Sequence, residues 1–440
     1  MAPMIASPQS ASRSGEGPAR NDGAGPQGAS SPNGRPDGSQ FNTTPGGQPA
    51  ASAVDSPIDS RHEPNGGNRT TCHTASADPD AGQAPSGAPP TAAGQAAPPA
   101  APSASPPFWP GPLHLSGNGI DRQLHCRVLQ SPLAGVSDRI FRSLVRRWAP
   151  DALLFTEMVN ATGLELGHGR SKLDDLAGES GPIAVQLFDH RPAAMAEAAR
   201  RAEACGAFLI DINMGCPVPK ISRKGGGSGL IREPELAARI VAAVAGAVNI
   251  PVTVKTRLGW CGSSADPVSF ALVLQNAGAR ALTLHGRTRE QGFKGQADWA
   301  AIAAVKRALT IPLIANGDVS SPEEALRCLA ATGADAVMVG RGTMGAPWLV
   351  GRIDAALRSL PVPPIPDAGQ RLALAAEQLE ALLEARGERG LLIARKHLGW
   401  TCQGFAGAAE LRHALMRAGT PHETRELLAR ASERIRENGP

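Results

Sequence analysis

Cys216 stands in the run Asp211-Ile212-Asn213-Met214-Gly215-Cys216-Pro217, where an apolar stretch gives way to a Gly-Cys-Pro turn. A free cysteine is ordinarily a small buried hydrophobe, but a thiol in a polar turn is accessible and able to give or take a proton. Lys220, Arg223 and Lys224 follow before three consecutive glycines, 225 to 227, so the thiol is close to cations. Comparable polar groups end other apolar runs: Pro132-Leu133-Ala134-Gly135, Gln186, Lys255 with Arg257, His285 with Arg287 and Arg289, Asn316-Gly317-Asp318, and Gly340-Arg341. Singly, each reads as a loop cap, a satisfied histidine or a turn. Gathered in one place they would supply a proton donor, a cationic wall and anion-binding turns.

Such groups converge only if the apolar runs are strands of one sheet whose ends meet. Strand-like segments at 128–131, 153–156, 183–188, 208–213, 252–256, 281–285, 312–315 and 336–340 alternate with helical ones. The helices are expected at 138–148, 160–166, 192–204, 234–248, 267–277, 298–308, 322–331 and 347–360, several opened by proline, as suits a first helical position. Eight strand–helix units in about 230 residues match a (β/α)8 barrel, typically about 250 residues. A doubly wound open sheet would place a glycine-rich fingerprint after the first strand, and the glycine run follows the fourth instead. The expected fold is therefore an α/β (β/α)8 TIM barrel. In it the site lies at the carboxyl ends of the strands, where the groups above are found.

The rest of the chain brackets this barrel. No leucine precedes Leu113, and residues 1–107 are mostly Ala, Pro, Gly and Ser. Such a segment cannot bury enough apolar surface to offset its ordering entropy, so a disordered tail is expected over 1–112. Residues 113–127 look like a short hairpin or lid, and the barrel domain spans 113–362. Beyond a proline-rich linker, 363–440 reads as a small all-α domain of three or four helices, the first with Leu372, Leu379, Leu382 and Leu383 on one face. The net charge of +4 divides into −3 over residues 1–107 and +7 over the remainder, a mild basic bias compatible with a polyanionic partner. The seven cysteines show no metal-ligand or redox spacing, which argues for a reducing compartment without structural disulfides and against a bound metal. With no long apolar run and no signal-peptide core at Met1-Ala2-Pro3-Met4-Ile5, a soluble, cytoplasmic, monomeric protein without a membrane partner is expected.

The glycine turns at the seventh and eighth strands leave backbone N–H groups uncovered ahead of helices, where barrels bind phosphate, and Arg341 can neutralise the anion. Lys255 could set a cation beside an electron-rich ring, and Gln186 offers a heterocycle edge both a donor and an acceptor. Phosphate at one end and a polar ring at the other suggest flavin mononucleotide (FMN).

The series Ser131-Pro132-Leu133-Ala134-Gly135-Val136-Ser137-Asp138, Gln186-Leu187-Phe188, Asp211-Ile212-Asn213-Met214-Gly215-Cys216-Pro217, Val254-Lys255-Thr256-Arg257, His285-Gly286-Arg287-Thr288-Arg289, Ala315-Asn316-Gly317-Asp318 and Gly340-Arg341-Gly342 resembles the bacterial tRNA-dihydrouridine synthases. Ala394-Arg395-Lys396-His397-Leu398-Gly399-Trp400 resembles their B-type, NifR3-like branch. The resemblance implies an FMN enzyme that reduces the 5,6 double bond of particular uridines in tRNA with NADPH. By position it implies that Pro132, Leu133 and Ala134 hold the flavin through backbone and that Gln186 and Lys255 contact its ring. His285 would lie between ring and phosphate, with Asn316, Gly317, Asp318, Gly340 and Arg341 around the phosphate. Cys216 would protonate C5 of the uracil opposite a hydride delivered to C6, and Asn213 would hold the uracil edge. The uridine must be extruded from folded tRNA to reach the pocket. Arg257 is assigned to the substrate side, and Lys220, Arg223, Lys224, Arg287, Arg289, Arg395 and Lys396 are candidate contacts to the tRNA backbone. Leu133 replaces the methionine common in the first motif, and Thr401 stands where an aromatic often follows the tryptophan. Two other readings share parts of this pattern: an FMN-dependent dihydroorotate or dihydropyrimidine dehydrogenase acting on a free base, and a non-catalytic tRNA-binding regulator. The basic loop and helical domain go against the first, and the intact Cys216, Asn213 and Lys255 against the second.

Overall fold

Eight parallel strands follow one another around a barrel: β3 (Val128–Gln130), β4 (Leu154–Phe155), β6 (Ile183–Phe188), β7 (Leu209–Met214), β8 (Val252–Arg257), β9 (Ala281–His285), β10 (Leu313–Asn316) and β11 (Ala336–Val339). β11 pairs with β3, and Gln130 N–H donates to Leu153 C=O at 3.1 Å, which joins the first strand to the second. The structure, a computed structural model, describes residues 108–438. Of the tail expected over 1–112, residues 1–107 lie outside the described residues. Phe108 packs against the barrel core, and the Arg127 and Arg358 guanidinium groups lie 5.7 and 3.9 Å from the Trp109 ring centre.

The helices are α1 (Arg139–Trp148), α2 (Ala161–Glu165), α3 (Ser171–Asp174), α4 (Pro192–Ala204), α5 (Pro219–Ser222), α6 (Pro234–Ala245) and α7 (Pro267–Asn276). After these come α8 (Trp299–Ala308), α9 (Pro322–Thr332), α10 (Leu349–Leu357), α11 (Ala368–Arg386), α12 (Arg389–Thr401), α13 (Ala408–Arg417) and α14 (Pro421–Asn438). Their starts are written locally. Asp138, Asn160, Asp266, Asp298 and Ser321 each accept a backbone N–H of the first turn, and proline opens α4, α6, α7 and α9.

Period-two alternation along the strands divides the core in two. Ile210, Ile212, Val252, Val254, Leu282, Leu284, Leu313, Ala315, Val337 and Val339 face the helices in one cluster. Leu129, Leu153, Phe155, Ala184, Leu209, Ala281, Ile314, Ala336 and Met338 form a second cluster inside the barrel. A hairpin of β1 (Leu113–Leu115) and β2 (Arg122–Leu124) adds Leu113, Leu115 and Leu124 to this second cluster. On four of the strands a polar residue comes two residues beyond an interior apolar one: Gln186 after Ala184, Asp211 then Asn213 after Leu209, Thr283 then His285 after Ala281, and Asn316 after Ile314. The same alternation that fills the bottom of the barrel therefore aims polar residues into its top.

The second barrel strand is interrupted. After β4 a further short strand, β5 (Val159–Asn160), also pairs with β6, and Glu157 and Met158 lie at the break. At the carboxyl terminus α11 begins with a capping box between Asp367 and Gln370, and four helices close around Leu372, Leu379, Leu382, Leu391, Leu398, Leu411, Leu415 and Leu428. Ile140 of α1 packs against this cluster, Arg147 pairs with Glu377, and the His397 ring lies 5.8 Å from that of Phe141. The helices and barrel belong to one compact unit. Among the described residues no helix is long and apolar enough to cross a membrane, and no cluster of His, Cys, Asp and Glu could hold a metal.

Candidate active site

The carboxyl ends of the strands surround a cavity of about 630 Å³. Pro132, Leu133 and Ala134 line it after β3, Gln186 on β6, Asn213 and Cys216 at β7, and Lys255 and Arg257 on β8. His285, Asn316, Gly317, Asp318, Gly340 and Arg341 complete the wall from β9 to β11. Every residue that the sequence assigned to the cofactor thus faces one space, together with the thiol.

The floor is a hydrogen-bonded layer. Strand register sets Gln186, Asp211 and Thr253 side by side, with Asn213 and Lys255 paired one step higher. Asp211, fully buried, accepts from Thr253 Oγ1 at 2.6 Å and from Gln186 Nε2 at 2.7 Å. Gln186 Oε1 accepts from Asn213 Nδ2 at 2.8 Å, and Asn213 Oδ1 accepts from the Gly215 and Cys216 N–H groups at 3.1 and 2.9 Å. The Cys216 turn is therefore held from below by the Asn213 side chain. It is held from the side by Arg257, whose Nε donates to Gly215 C=O at 2.7 Å and whose Nη1 donates to Thr288 and Gly292 C=O at 3.0 and 2.9 Å.

Electrostatics follow from this packing. Burial raises the Cys216 thiol above its ordinary pKa, against the pull of the Val218 backbone, Arg257 and Lys255, so it is protonated at neutral pH. Burial lowers Lys255 to about 8, as does Arg257, while Asp211 and Cys216 oppose the shift. Burial, Lys255, Arg257, Arg287 and Arg341 push His285 down to about 2, so its imidazole is neutral. The far wall carries a surplus of positive charge beside a neutral histidine. That environment favours an anion.

Asn316 and Asp318 are committed to the walls. Lys255 Nζ donates to Asn316 Oδ1 at 2.9 Å, and Asn316 Nδ2 donates to Met338 C=O at 2.8 Å. Asp318 accepts from Arg287 at 2.8 Å and from Ala297 N–H at 2.7 Å. Gly317 has φ of 119°, and a Cβ there would meet Ala297 at 2.8 Å and His285 at 3.1 Å, so only glycine fits this turn.

The expected tRNA contacts separate into two groups. Lys220, Arg223 and Lys224 are exposed on and after α5, beside the Cys216 turn. Arg287 is not on the surface. It is 2 % exposed, with donors engaged by Lys294 C=O, Gly295 C=O and Asp318, so the expectation of a backbone contact there is corrected. Arg289 stacks 4.5 Å from the centre of the Trp260 ring, Arg395 donates to Ala418 C=O at 2.7 Å, and Lys396 is half-buried above Gly135. Sequence reasoning missed Met158, Val218 and Phe293, which also line the cavity. Phe293 is 56 % exposed, with Arg341 and Arg257 at 4.8 and 5.6 Å from its ring centre. An isolated aromatic in the polar loop Gln291-Gly292-Phe293-Lys294-Gly295-Gln296 was its one signal.

Known proteins resemble the chain over the same region. A probable tRNA-dihydrouridine synthase 1 of Synechocystis sp. is 52 % identical over 326 residues, covering 74 % of this chain and 90 % of the relative. A tRNA-dihydrouridine synthase B of Xanthomonas axonopodis pv. citri is 43 % identical over 67 % of this chain and 89 % of its own length. A probable tRNA-dihydrouridine synthase of Rhodobacter capsulatus is 42 % identical over 70 % of this chain and 95 % of its own. Among solved structures, histamine dehydrogenase from Rhizobium sp. 4-9 shares 12 % identity at a TM-score of 0.46 over 60 % of this chain and 50 % of its own, too slight a likeness to add to this. With the family model described as dihydrouridine synthase matching residues 129–437, from the first barrel strand to the last helix, the chain belongs to the dihydrouridine synthase family.

Proposed function

We propose that this protein reduces the 5,6 double bond of particular uridines in tRNA, with FMN as its cofactor and NADPH as reductant. The observation that carries the reading is that one cavity joins the protonated Cys216 thiol to the cationic wall of Lys255, Arg257 and Arg341. The donor set suits FMN: the cavity wall carries the cations Lys255, Arg257 and Arg341 against the carboxylates Asp318 and Glu324, with His285 neutral, so a net positive charge remains for an anion such as a phosphate. Pro132, Leu133, Ala134, Gln186 and Lys255 would hold the ring, His285 would lie between ring and phosphate, and Gly317, Gly340 and Arg341 would hold the ribityl phosphate, with Asn316 and Asp318 beside it fixing Lys255, Arg287 and the turn. When bound, the flavin supplies hydride to the 6-carbon of the uracil.

The chain's own part is to position and to move a proton. Cys216 carries its proton at neutral pH and gives it to the 5-carbon, and Asn213 and Arg257 fix the turn that presents it. Asn213 has its amide oxygen occupied by the turn and one amide hydrogen by Gln186, and its Nδ2 also lies 3.8 Å from the weak acceptor Met158 Sδ, a contact that a uracil carbonyl would replace. The exposed cations Lys220, Arg223 and Lys224 supply the sequence-independent attraction to the tRNA backbone. The purified protein is expected to be yellow, to release FMN on denaturation and to be bleached by NADPH. Position-by-position nucleoside analysis of tRNA from cells with and without the gene decides the substrate. Identical dihydrouridine content in both sinks the reading.

A further inference from the structure

The layer beneath Cys216 has a direction. Asp211, as a carboxylate, only accepts; the Gly215 and Cys216 backbone N–H groups only donate. Between them lie two side-chain amides, Gln186 and Asn213, each of which satisfies both neighbours in one orientation alone. Reversing either would set N–H against N–H or oxygen against oxygen in a space where Asp211, Gln186 and Asn213 are 0, 1 and 8 % exposed. Thr253, whose hydroxyl could serve either end, donates to the second carboxylate oxygen.

We propose that Asp211 is a positioning residue: its carboxylate sets the polarity of a relay through Gln186 and Asn213 that orders the turn carrying Cys216. The inference rests on the reading of Cys216 as proton donor for its catalytic meaning, though not for its structural test. Asp211 touches neither the thiol nor the cavity, and it is absent from the cavity wall that Gln186 and Asn213 share. Burial raises its pKa to about 6, against the Thr253 and Gln186 hydrogen bonds and the Lys255 charge, so it is ionised at pH 8. A buried anion four residues before the Gly-Cys-Pro turn is costly to keep as plain core. Fixing two amides gives it a role.

A relay of this kind can be run backwards, and that is its test. Asn213→Asp places acceptors at both ends of Gln186, one of which must face an oxygen. Adding Asp211→Asn restores a complete chain of opposite sense: Asn at 211 donates to Gln186 Oε1, Gln186 Nε2 donates to the carboxylate at 213, and that carboxylate still accepts from Gly215 and Cys216. Hydrogen exchange of the segment containing Gly215 and Cys216 is read by mass spectrometry at pH 8 in the full-length protein, for both single variants and the pair. Asn213→Asp should exchange about tenfold faster there, and the pair should return to within about twofold of the wild type. In a Gln186→Met background the rescue should vanish, since the route runs through that amide. Two outcomes overturn the relay: purely additive effects of the two substitutions, or a rescue that persists without Gln186, which would be repulsion between carboxylates. If the wild type forms no dihydrouridine in tRNA, the functional reading fails while the exchange cycle still decides the relay.

Discussion

A half-buried thiol with a raised pKa is a poor nucleophile and a good proton reservoir, and Cys216 is arranged for the second task. Cys216→Ala should therefore keep its flavin and its NADPH oxidation while dihydrouridine formation falls by about 10²–10⁴, the usual worth of a positioned acid. Single-turnover measurement with tRNA checks it, and wild-type rates would make the thiol structural. Lys255 gives a second test through pH. Its folded pKa, lowered to about 8 chiefly by burial, lies below that of an unfolded lysine. A depressed value contributes stability that is present above the ordinary lysine range and lost as pH falls through about 8. The flavin-free protein should thus gain stability from this group between about pH 8 and 10. FMN affinity should move the other way, falling as the cation is lost. Lys255→Ala should abolish both trends in calorimetry and flavin titration. Parallel trends in the wild type would remove Lys255 from the flavin site.

Elements position these residues, and one ion pair holds the first site turn. Arg142 of α1 donates to Glu179 through Nε at 2.9 Å and through Nη2, and to Ser137 C=O through Nη1 at 2.7 Å. The Ser137 hydroxyl in turn accepts from Leu133 N–H at 2.9 Å, inside the turn assigned to the flavin. With side chains 2 and 7 % exposed, Glu179→Ala strands a guanidinium in the core. A loss of about 3–5 kcal/mol is expected, with weaker FMN retention, whereas an apolar replacement of both partners should recover most of the thermal stability. An unchanged melting temperature for Glu179→Ala would place the pair outside the fold's support. The same scale shows what was legible in the sequence. Period-two alternation in the run Leu209-Ile210-Asp211-Ile212-Asn213-Met214 was enough to put Asp211 and Asn213 inside the barrel, because both faces of a barrel strand are buried and the pleat leaves no other choice. Proline marked several helix starts for equally local reasons. Arg287 and Arg395 were not legible. Their partners are carbonyls at 294, 295 and 418, brought near by loops that carry no periodic signal. Met158 was hidden because the second strand is expected to end at 156, which leaves Met158 in a loop, whereas β5 resumes the pairing with β6 after the break.

For the whole molecule, charge decides between a polymeric and a free-base substrate. Residues 108–440 carry +7, and three of those cations, Lys220, Arg223 and Lys224, are exposed beside the Cys216 turn. A phosphate backbone laid across this loop releases counterions, so tRNA affinity should fall with salt on a log–log slope set by the number of contacts. Each contact contributes about 0.7–0.9 to that slope. Replacing all three by alanine should lower the slope by about 2–3, weaken binding uniformly among tRNAs and leave the FMN content intact. Arg287→Gln makes the control. That side chain is buried against Asp318, so its loss should cost thermal stability without changing the slope. NADPH is itself an anion, and the salt dependence of its oxidation by each variant separates cofactor electrostatics from those of tRNA. An enzyme for a free base would turn over its substrate nearly indifferently to the three substitutions, because a free pyrimidine, whether neutral or the singly charged dihydroorotate, has no phosphate backbone to lay across the loop. A triple variant with the wild-type slope would place the tRNA elsewhere on the barrel rim and leave the loop as ordinary solvated surface.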